Sequence, residues 1–470
     1  MGNVNWHNYY VNERINERGL PIDLDFCHRA LDLNTKIREK VKEELKEITK
    51  LDNPNSNDQF KRFLNEYGYF PDDLTAGTLG GLIDSVEDER VKRALKLKRI
   101  YSKRATTKFK KFIAMAGEDS RVRGMFTFLG ASRTGRFASR GVNLQNLKSP
   151  PFGEIMDDVV GLVRGGYLEA IEALFGDPMG FLSGCVRASI AAPQGQKLII
   201  SDYSSIESRV VGWFSQCSWI NKIFAEGKDT YRSLACDLFG VEYNDVTSKM
   251  RKFAKPVMLA GPYGQGWKGL IAYAAGWGIE LDESTSRHHI EVFRTRCFEI
   301  VNFWRALETA IFQAIYSAEK TLLFGGRIEI GRENTVLYIQ LPSGRKICYF
   351  QPKIEDRKTP WGEMKPSFTY MGWHQEANKW LRLSAHMGLI TENITQAIAA
   401  DILTNALSNC EIFSVDVRGH VHDEIIAIAD SDDAETELDR LIFAMEQRPE
   451  WASDLLLPCE GFVCKHYTKH

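Results

Sequence analysis

The sequence predicts a mixed α/β protein of the α+β kind, built from more than one subdomain, and three observations predict it. The chain has 470 residues, which is long for a single hydrophobic core. Apolar residues recur at helical spacing through residues 1–118 and again through 220–335. Short strand-like runs stand elsewhere, as in "TVLYIQLPSGRKICYF" and "EIFSVDVRGHVHDEIIAIAD".

Composition limits the class of protein. Hydrophobic residues make up 44% and charged residues 26% of the chain, as in ordinary globular proteins. The nine cysteines form no C-x-x-C pair, which argues against a zinc site or a disulfide framework and fits a reducing compartment. No apolar run reaches the ~18–20 residues that span a membrane, and no signal peptide opens the chain. We therefore expect a cytoplasmic protein without a membrane partner.

The N-terminal segment reads as helical. "HRALDLNTKIREKVKEELKEITKL" has helical apolar spacing and many i,i+4 charge pairs. Pro54 ends that helix, and Ser56 or Asn57 can cap the next one.

Residues 90–111 hold eleven Lys or Arg and no acid, with apolar residues between the charges. The pattern predicts one basic amphipathic helix. Such a helix is either a solvated surface element or one that follows the phosphates of a nucleic acid, and the net charge of −2 does not decide between them.

Two aspartates stand at predicted strand ends. Asp202 ends the strand-like run of "LIISDYSSIESR", and Asp423 begins the second run of "VRGHVHDEII", which we expect to follow a turn containing Gly419. Alternation along that second strand is expected to send His422 and Glu424 to the face opposite Asp423. Two carboxylates in one cleft repel each other unless a cation joins them, and oxygen ligands suit Mg²⁺. By itself such a pair is weak support, because most Asp residues cap helices or face water.

The segment "SKMRKFAKPVMLAGPYGQG" carries a second pattern. Arg251, Lys255, Leu259 and Tyr263 recur every four residues, so on a helix they form one stripe. Two cations, an apolar group and an aromatic group follow the order of phosphate, sugar and base in a nucleotide. The alternative is a surface helix whose cations merely reach into solvent. Two prolines at 256 and 262 predict that the helix is kinked or shortened.

Together these segments resemble the motifs of family A DNA polymerases, the bacterial DNA polymerase I type. "SDYSSIESR" is similar to the first palm motif, "VHDEI" to the third motif, and the Arg-x₃-Lys-x₇-Tyr-Gly spacing to the fingers-helix motif. "TGRFASRGVNLQNL" resembles the primer-template segment, "NITQAIAADIL" the palm helix, and "INERGLPIDLDF" with "NPNSNDQFKRFL" the thumb. Gly388 and Glu392 fall where bacterial members often have Arg and Asn, which is more typical of phage-type members.

The resemblance implies a right-hand polymerase fold with an antiparallel-sheet palm, helical fingers and a helical thumb. The expected divisions are a thumb over 1–118, a first palm segment over 119–219, fingers over 220–335 and a second palm segment over 336–470. The basic segment 90–111 would be the thumb helix that grips duplex phosphates. The chain begins almost at the thumb, so we expect no 3′–5′ exonuclease domain and no proofreading on this chain.

The resemblance also assigns metal ligands. Asp202 and Asp423 are expected to bind two Mg²⁺ ions, which Mn²⁺ could replace, with the backbone carbonyl of Tyr203 as a further ligand. Glu424 is expected to support the site rather than bridge both ions.

Nucleotide and DNA contacts follow in the same way. Lys255 is also the candidate proton donor to departing pyrophosphate, and Glu207 the candidate steric gate against a ribose 2′-hydroxyl. Tyr231 stands where many bacterial members carry a phosphate-contacting His. The residues expected to bind nucleotide are Arg251, Lys255, Leu259, Tyr263, Glu207, Tyr231 and Ser204. Those expected to touch template or primer are Arg136, Asn143, Gln145, Gln396 and His422.

The implied function is template-directed DNA synthesis, in which dNTPs are added to a primer 3′-hydroxyl and pyrophosphate is released, in phage DNA replication within the host cytoplasm. We expect primer-template DNA and dNTPs as partners, a monomeric chain, and a separate exonuclease or processivity factor as a possible companion. A single-subunit RNA polymerase is the nearest alternative, and Glu207 argues against it. A catalytically silent DNA-binding subunit is another, and the presence of both Asp202 and Asp423 argues against that.

Overall fold

A computed structural model of the protein describes residues 6–103, 106–148, 152–358 and 362–468. Helices and antiparallel strands alternate through these ranges, and every strand pair among them is antiparallel. The predicted α+β class is therefore confirmed. No helix in these ranges is both long and apolar enough to cross a membrane.

The N-terminal part is mainly helical, as predicted. Its helices cap as the sequence suggests: the Ser56 side chain accepts a hydrogen bond from the Gln59 amide at the start of the third helix. The elements are α1 (Trp6–Arg18), β1 (Leu20–Pro21), α2 (Leu24–Thr49), α3 (Asn57–Glu66), α4 (Ala76–Ser85), α5 (Glu89–Ser102), α6 (Thr107–Met115), β2 (Arg121–Val122), β3 (Phe126–Thr127) and β4 (Ala138–Ser139).

The prediction of one basic helix over 90–111 is wrong, because the segment forms α5 and α6 with a break between them. Arg38 of α2 donates hydrogen bonds to the carbonyls of Tyr101 (2.9 Å) and Lys103 (2.7 Å). These carbonyls are therefore satisfied from outside the helix at the point where α5 ends. Arg104 and Ala105 lie outside the described residues. Lys98 is buried and donates to the Pro54 and Asn55 carbonyls, so this lysine packs inside the helical region.

The central part continues with one strand and a run of helices. Its elements are α7 (Met156–Gly165), α8 (Leu168–Phe175), α9 (Pro178–Gly184), β5 (Gln196–Tyr203), α10 (Ile206–Phe214), α11 (Ser218–Ala225), α12 (Thr230–Phe239), α13 (Ser248–Ala260), α14 (Trp267–Ala275), α15 (Glu283–Arg296) and α16 (Phe298–Tyr316).

Pro256 does not end α13, contrary to the expectation of a helix shortened there. The helix continues through Pro256 to Ala260, and a 3₁₀ turn over Gly261–Tyr263 follows. Pro256, Val257 and Met258 are all buried, so tertiary packing offsets the hydrogen bond that the proline cannot donate. Tyr263 consequently lies just beyond the helix that carries Arg251.

The C-terminal part holds most of the strands. Its elements are β6 (Thr321–Leu323), β7 (Ile328–Glu333), β8 (Val336–Gln340), β9 (Lys346–Lys358), β10 (Met364–His374), β11 (Lys379–Ser384), α17 (Met387–Ile412), β12 (Val417–Val421), β13 (Glu424–Asp430), α18 (Ala434–Glu446) and β14 (Cys459–Cys464).

Strands β5 to β14 form two larger sheets. A four-stranded sheet has the order β12-β13-β5-β14, and α18 packs against β5 and β14. A six-stranded meander has the order β11-β10-β9-β8-β7-β6, and α16 packs against four of its strands. Residue 335, our expected boundary between fingers and second palm segment, lies in the turn between β7 and β8 of this meander.

The hairpin of the four-stranded sheet turns at His422 and Asp423, not at Gly419 as we expected. Val421 pairs directly with Glu424, and Gly419 lies inside β12 opposite Ile426. A side chain at Gly419 would stand 3.0 Å from the Phe126 ring. Close packing, rather than a turn, therefore explains this glycine.

His420 lies in the same strand, β12, and is fully buried. It is 0% exposed, and its ring lies 4.4 Å from Phe126 and 4.2 Å from Phe137 between ring centroids. Neither ring nitrogen has a hydrogen-bond partner in the ranges that the structure covers. Burial lowers the pKa of His420 from 6.5 to about 3.

Replacing His420 by leucine is expected to stabilise the fold and to weaken its acid sensitivity. His420 stays neutral in the folded chain but regains its ordinary pKa on unfolding. Its titration therefore costs no stability above about pH 6.5 and lowers the free energy of unfolding progressively as the pH falls toward about 3. His420→Leu should raise the free energy of unfolding by roughly 1–3 kcal/mol at neutral pH, by removing unsatisfied polar atoms. Urea denaturation at pH 8 and pH 5 measures both effects; an unchanged difference between the two pH values would contradict them.

Candidate active site

The two predicted metal-binding aspartates lie at one edge of the four-stranded sheet. Strands β5 and β13 are neighbours, and Asp202 is paired with Glu424 in the register. The amide of Tyr203 donates to the carbonyl of Asp423 across the same pair of strands, at 3.3 Å. Both aspartates are half-buried. Two segments some 220 residues apart in sequence therefore meet at this edge, as the strand-end argument requires.

His422 stands in the turn beside Asp423 and has a backbone φ of +58°. A non-glycine residue in this left-handed region costs about 1–2 kcal/mol. Its side chain is exposed, and Nε2 lies 3.1 Å from the carbonyl oxygen of Gln145. The turn therefore links the aspartate edge to the segment predicted to contact DNA.

Glu424 is buried, at 3% exposure, and the hydroxyl of Tyr467 donates a hydrogen bond to it. Arg187 in turn donates to the Tyr467 hydroxyl at 2.6 Å and to two backbone carbonyls. Burial raises the pKa of Tyr467 well above its usual value, which keeps the phenol protonated as a donor. Sequence reasoning missed Tyr467 and Arg187, because neither stands in a recognisable motif.

The cations of α13 meet residues at the start of α12 and just after α14. Arg251 donates to Asp229 at 2.6 and 3.0 Å and lies 5.2 Å from the Tyr231 ring centroid. Nζ of Lys255 is 5.7 Å from the Tyr231 ring and 4.9 Å from the Trp277 ring. Three of the predicted nucleotide-binding residues are thus gathered together. Asp229 and Trp277 were not found from the sequence, although Asp229 is recognisable as the N-cap of α12.

Glu207 joins three predicted segments. The Tyr263 hydroxyl donates to Oε2 of Glu207 at 3.3 Å, and Nη1 of Arg136 lies 3.6 Å from Oε1. Burial raises the pKa of Tyr263 well above its usual range, with the Glu207 charge adding to the effect. The remaining predicted nucleotide contacts are less central: Leu259 is half-buried, and the Ser204 hydroxyl donates to Glu460 of β14 at 2.9 Å.

The chain after α13 packs tightly on the start of α17. A side chain at Gly388 would stand 1.9 Å from the carbonyl oxygen of Tyr263, so only glycine fits there. This contact excludes any larger side chain, arginine included, from this position. One turn further along α17, burial raises the pKa of Glu392, and this residue accepts a hydrogen bond from Gln396 at 3.1 Å.

A cleft of about 250 Å³ contains four of the five predicted DNA contacts. Gln396 does not line it, although Ala400 and Leu403 of the same helix do. Nε2 of Gln145 is buried and has no hydrogen-bond partner in the described ranges, which leaves a donor available inside the cleft. The predicted contacts that line the cleft are Arg136, Asn143, Gln145 and His422.

A larger cleft of about 650 Å³ lies among α14, α15 and α16 and contains none of the predicted site residues. Arg287, Arg294 and Arg305 line it together with Trp267 and Phe298.

Arg345 lies in the turn between β8 and β9 and donates hydrogen bonds to elements that border the 250 Å³ cleft. Its guanidinium donates to Asp401 at 2.6 Å, to the Thr134 carbonyl at 2.8 Å and to the Ala397 carbonyl at 2.8 Å. Asp401 also accepts from Ser343. Burial raises the pKa of Asp401, and Arg345 opposes that rise. One side chain thus connects α17 with the loop that precedes Arg136.

Replacing Arg345 by alanine is expected to destabilise the fold by about 3 kcal/mol, because it leaves Asp401 buried without its cation. Primer-template affinity should fall as well, since the loop that carries Arg136 loses its anchor. Arg345→Lys keeps the charge but not the planar set of donors, so it should restore only part of the stability. Chemical denaturation and DNA-binding titrations measure the two effects. Full stability in Arg345→Ala would show that the contact carries no energy.

No three side chains of His, Cys, Asp or Glu are gathered into a metal site by themselves in the part of the chain that is described. The predicted site consists instead of two carboxylates and one backbone carbonyl. These are hard oxygen donors, the chemistry that Mg²⁺ prefers.

Comparison with known proteins places these motifs in a family. A family model described as DNA polymerase family A matches residues 27–330, a range that holds Asp202, Arg251, Lys255 and Tyr263 and stops before Asp423. The DNA polymerase of Bacillus phage SP02 is 35% identical over 465 residues, which covers 98% of this chain and 70% of that protein. DNA polymerase I of Aquifex aeolicus is 31% identical over 115 residues, covering 24% of this chain and 19% of that protein.

A solved structure has the same fold. It is described as the POL domain of Pol1 from M. smegmatis in complex with DNA primer-template and dNTP. The TM-score is 0.63 with 16% sequence identity, and the match covers 99% of this chain and 70% of that one. At this identity the likeness concerns the fold alone.

Proposed function

The chain belongs to DNA polymerase family A and is a template-directed DNA polymerase, and from this premise we propose where and how it extends a primer. Synthesis takes place at the sheet edge that carries Asp202 and Asp423, with pyrophosphate as the second product. The observation that carries this proposal is the register that pairs β5 with β13 and brings the two aspartates to one edge.

The subdomains follow from this placement. The four-stranded sheet with α17 and α18 is proposed as the palm, the helices from α11 to α16 as the fingers, and the helices up to α6 as the thumb. The six-stranded meander begins before residue 335, in the division expected to be the fingers, and ends after it, in the division expected to be the second palm segment. The phosphate-gripping role of the basic segment is proposed for the exposed residues Lys96, Arg99 and Lys110.

Divalent metal ions are generally used by family A polymerases. Two Mg²⁺ ions, which Mn²⁺ could replace, would be held by the carboxylates of Asp202 and Asp423 and by the Tyr203 carbonyl. When bound, such ions lower the pKa of an attacking hydroxyl and neutralise charge on a leaving phosphate. Glu424 contributes indirectly, since its hydrogen bond from Tyr467 holds the start of β13 in place.

The incoming dNTP is bound by residues of α12 and α13. Arg251 and Lys255 meet the triphosphate, and the Tyr231 phenol between them can donate a further hydrogen bond. Asp229 holds Arg251 before nucleotide binds, so phosphate oxygens must displace this carboxylate. Lys255 then donates a proton to departing pyrophosphate. Leu259, Tyr263 and Ser204 are proposed to border the sugar and the nascent base pair.

Primer and template are proposed to lie along the 250 Å³ cleft. Arg136, Asn143, Gln145 and His422 would contact the duplex there, and Gln396 would contact it from α17 outside the lining of this cleft, several of these residues through the minor groove. The unpaired Nε2 donor of Gln145 supports this, because the minor-groove edges of bases present hydrogen-bond acceptors.

The 35% sequence identity to the DNA polymerase of Bacillus phage SP02 supports a role in phage DNA replication. A separate exonuclease or processivity factor could act with the chain, which we propose works as a monomer on primer-template DNA.

Discrimination between dNTP and rNTP tests the proposal and separates it from an RNA polymerase. Wild-type protein should extend a primed template with dNTPs and reject rNTPs, because Glu207, fixed by Tyr263 and Arg136, occupies the space of a 2′-hydroxyl. Glu207→Ala should relax this rejection by on the order of tenfold to a hundredfold, as for other single contacts in a specificity pocket. Glu226→Ala, at an exposed carboxylate, is the matched control. Efficient rNTP use with starts that need no primer would overturn the proposal.

A further inference from the structure

The six-stranded meander has one covered face and one aromatic face. Tyr349, Phe368 and Tyr370 are buried on the inner face, where Tyr349 accepts a hydrogen bond from Asn393 of α17. On the other face Phe350 is 47% exposed, and so are Trp373 (47%) and Trp380 (51%). The inner face therefore packs inside the protein, whereas the outer face presents three large rings to solvent.

The three rings form one surface. Trp373 and Trp380 are directly paired between β10 and β11, so their side chains share a face. Phe350 is paired with Met371, two residues before Trp373 on β10, and the Phe350 and Trp380 ring centroids are 6.1 Å apart. We call Phe350, Met371, Trp373 and Trp380 the aromatic platform. Clustered exposed rings of this kind mark binding surfaces.

Two basic residues, Lys353 and Arg382, lie beside the aromatic platform. Residues 321–384 contain ten Lys or Arg and six Asp or Glu, although the whole chain has a net charge of −2. Arg382 is paired with Met371, donates to the Thr369 hydroxyl at 3.2 Å and to the Gln351 carbonyl at 3.1 Å, and lies 3.7 Å from the Glu355 carboxylate, contacts that hold the guanidinium at the edge of the rings. Lys353 is paired with Thr369, is exposed, and has no carboxylate partner within the ranges described. The surface is thus complementary to a polyanion that carries flat, stackable groups.

The platform lies along β9 from the turn that holds Arg345. Strand β9 starts at the turn where Arg345 contacts Thr134 and α17, and Phe350 lies five residues further along the strand. At the rise of an antiparallel strand this is about 17 Å. A nucleic-acid strand that leaves the cleft along β9 therefore reaches the rings within a few nucleotides.

We propose that the aromatic platform binds the unpaired template strand outside the duplex. Bases stack on Phe350, Trp373 and Trp380, and Lys353 and Arg382 neutralise neighbouring phosphates. Sheets with exposed aromatic residues bind single strands in this way, with little dependence on sequence. The inference rests on the proposed function, since it assigns a path to the template that the polymerase copies.

The test compares primer-templates that differ only in the length of the 5′ template overhang, about 3 against about 20 nucleotides, the longer exceeding the usual span of a single-strand site. Wild-type protein should bind the long overhang more tightly. In the variant Trp373→Ala/Trp380→Ala, the ratio of the affinities for the long and the short overhang should fall by on the order of tenfold, the effect of losing a stacked base. Its affinity for the short overhang and its extension of that substrate should match wild type. Phe443→Ala, at a 53% exposed ring on α18, is the matched control.

A second variant, at the exposed Lys353, tests the proposal without depending on the folding of the double tryptophan variant. Lys353→Gln should make the salt dependence of long-overhang binding shallower by about 0.7 in log–log slope, as expected for one phosphate contact on a single strand, with the short overhang unaffected. An unchanged overhang increment in the double tryptophan variant would overturn the inference. The same holds if sedimentation shows that the tryptophans join two copies of the chain. Absence of extension by wild-type protein would instead refute the proposed function itself.

Discussion

Primer extension by the Asp423→Ala variant is expected to fall by on the order of a thousandfold or more, while its affinity for primer-template stays within about twofold of wild type. Asp423 lies at the sheet edge beside Asp202, and we propose that it supplies one of the two carboxylates that hold the metal ions. Duplex DNA is proposed to bind instead through Arg136, Asn143 and Gln145, which line the 250 Å³ cleft and which the substitution leaves in place. Chemistry and DNA binding should therefore separate.

Single-turnover extension with Mg²⁺ and anisotropy titrations of the same DNA measure the two quantities. Asp202→Ala should lose a similar factor, and the double variant little more, because two ligands of one site do not act additively. Asp432→Ala, at an exposed carboxylate just after β13, is the matched control and should extend normally. Extension by Asp423→Ala at near wild-type rates would remove this aspartate from the metal site.

Lys255→Met is expected to lower kcat for nucleotide addition by about 10²–10³-fold, the range of a lost general acid. Its ammonium lies over the rings of Tyr231 and Trp277, and we propose it as the cation that donates a proton to pyrophosphate. Arg251→Ala should act differently and raise mainly the KM for dNTP, because arginine supplies charge and hydrogen bonds but no proton.

Lys255→Arg separates the two roles of this side chain. The guanidinium retains the charge that binds phosphate, so KM should recover, whereas kcat should stay low because arginine does not release its proton. Lys252→Met, at an exposed lysine on the same helix, is the control and should leave both parameters unchanged. Equal kcat for Lys255→Arg and wild type would contradict proton donation by this residue.

Local patterns predicted much of this molecule. The helical N-terminal part, the strand that carries Asp202 and the two strands on either side of Asp423 follow from apolar periodicity, which each segment carries in itself. The resemblance located segments that the fold then brings together, such as Glu207 with Tyr263 and Arg136.

Errors arose where a distant side chain or close packing decides the local structure. Arg38 bonds the end of α5 from another helix, and no feature within 90–111 reveals this. Gly419 looked like a turn residue, yet it is required by the approach of Phe126, while the turn falls on His422 at positive φ. Glycine is common in turns, so pattern reasoning prefers it there.

The partners of the site residues were the least predictable part. Asp229, Trp277, Tyr467 and Arg345 act through contacts with residues that lie 22 to 280 positions away. Sequence spacing within one helix or strand carries no information on such pairs. Only the packing of the elements reveals them.

Single-nucleotide addition on four primer-templates that differ only in the templating base tests the central claim most directly. With Mg²⁺ present, each template should be extended by its complementary dNTP and by no other to a comparable extent, and Asp423→Ala should extend none of them. Addition that ignores the templating base, or that persists in Asp423→Ala, would contradict template-directed synthesis at the edge formed by Asp202 and Asp423.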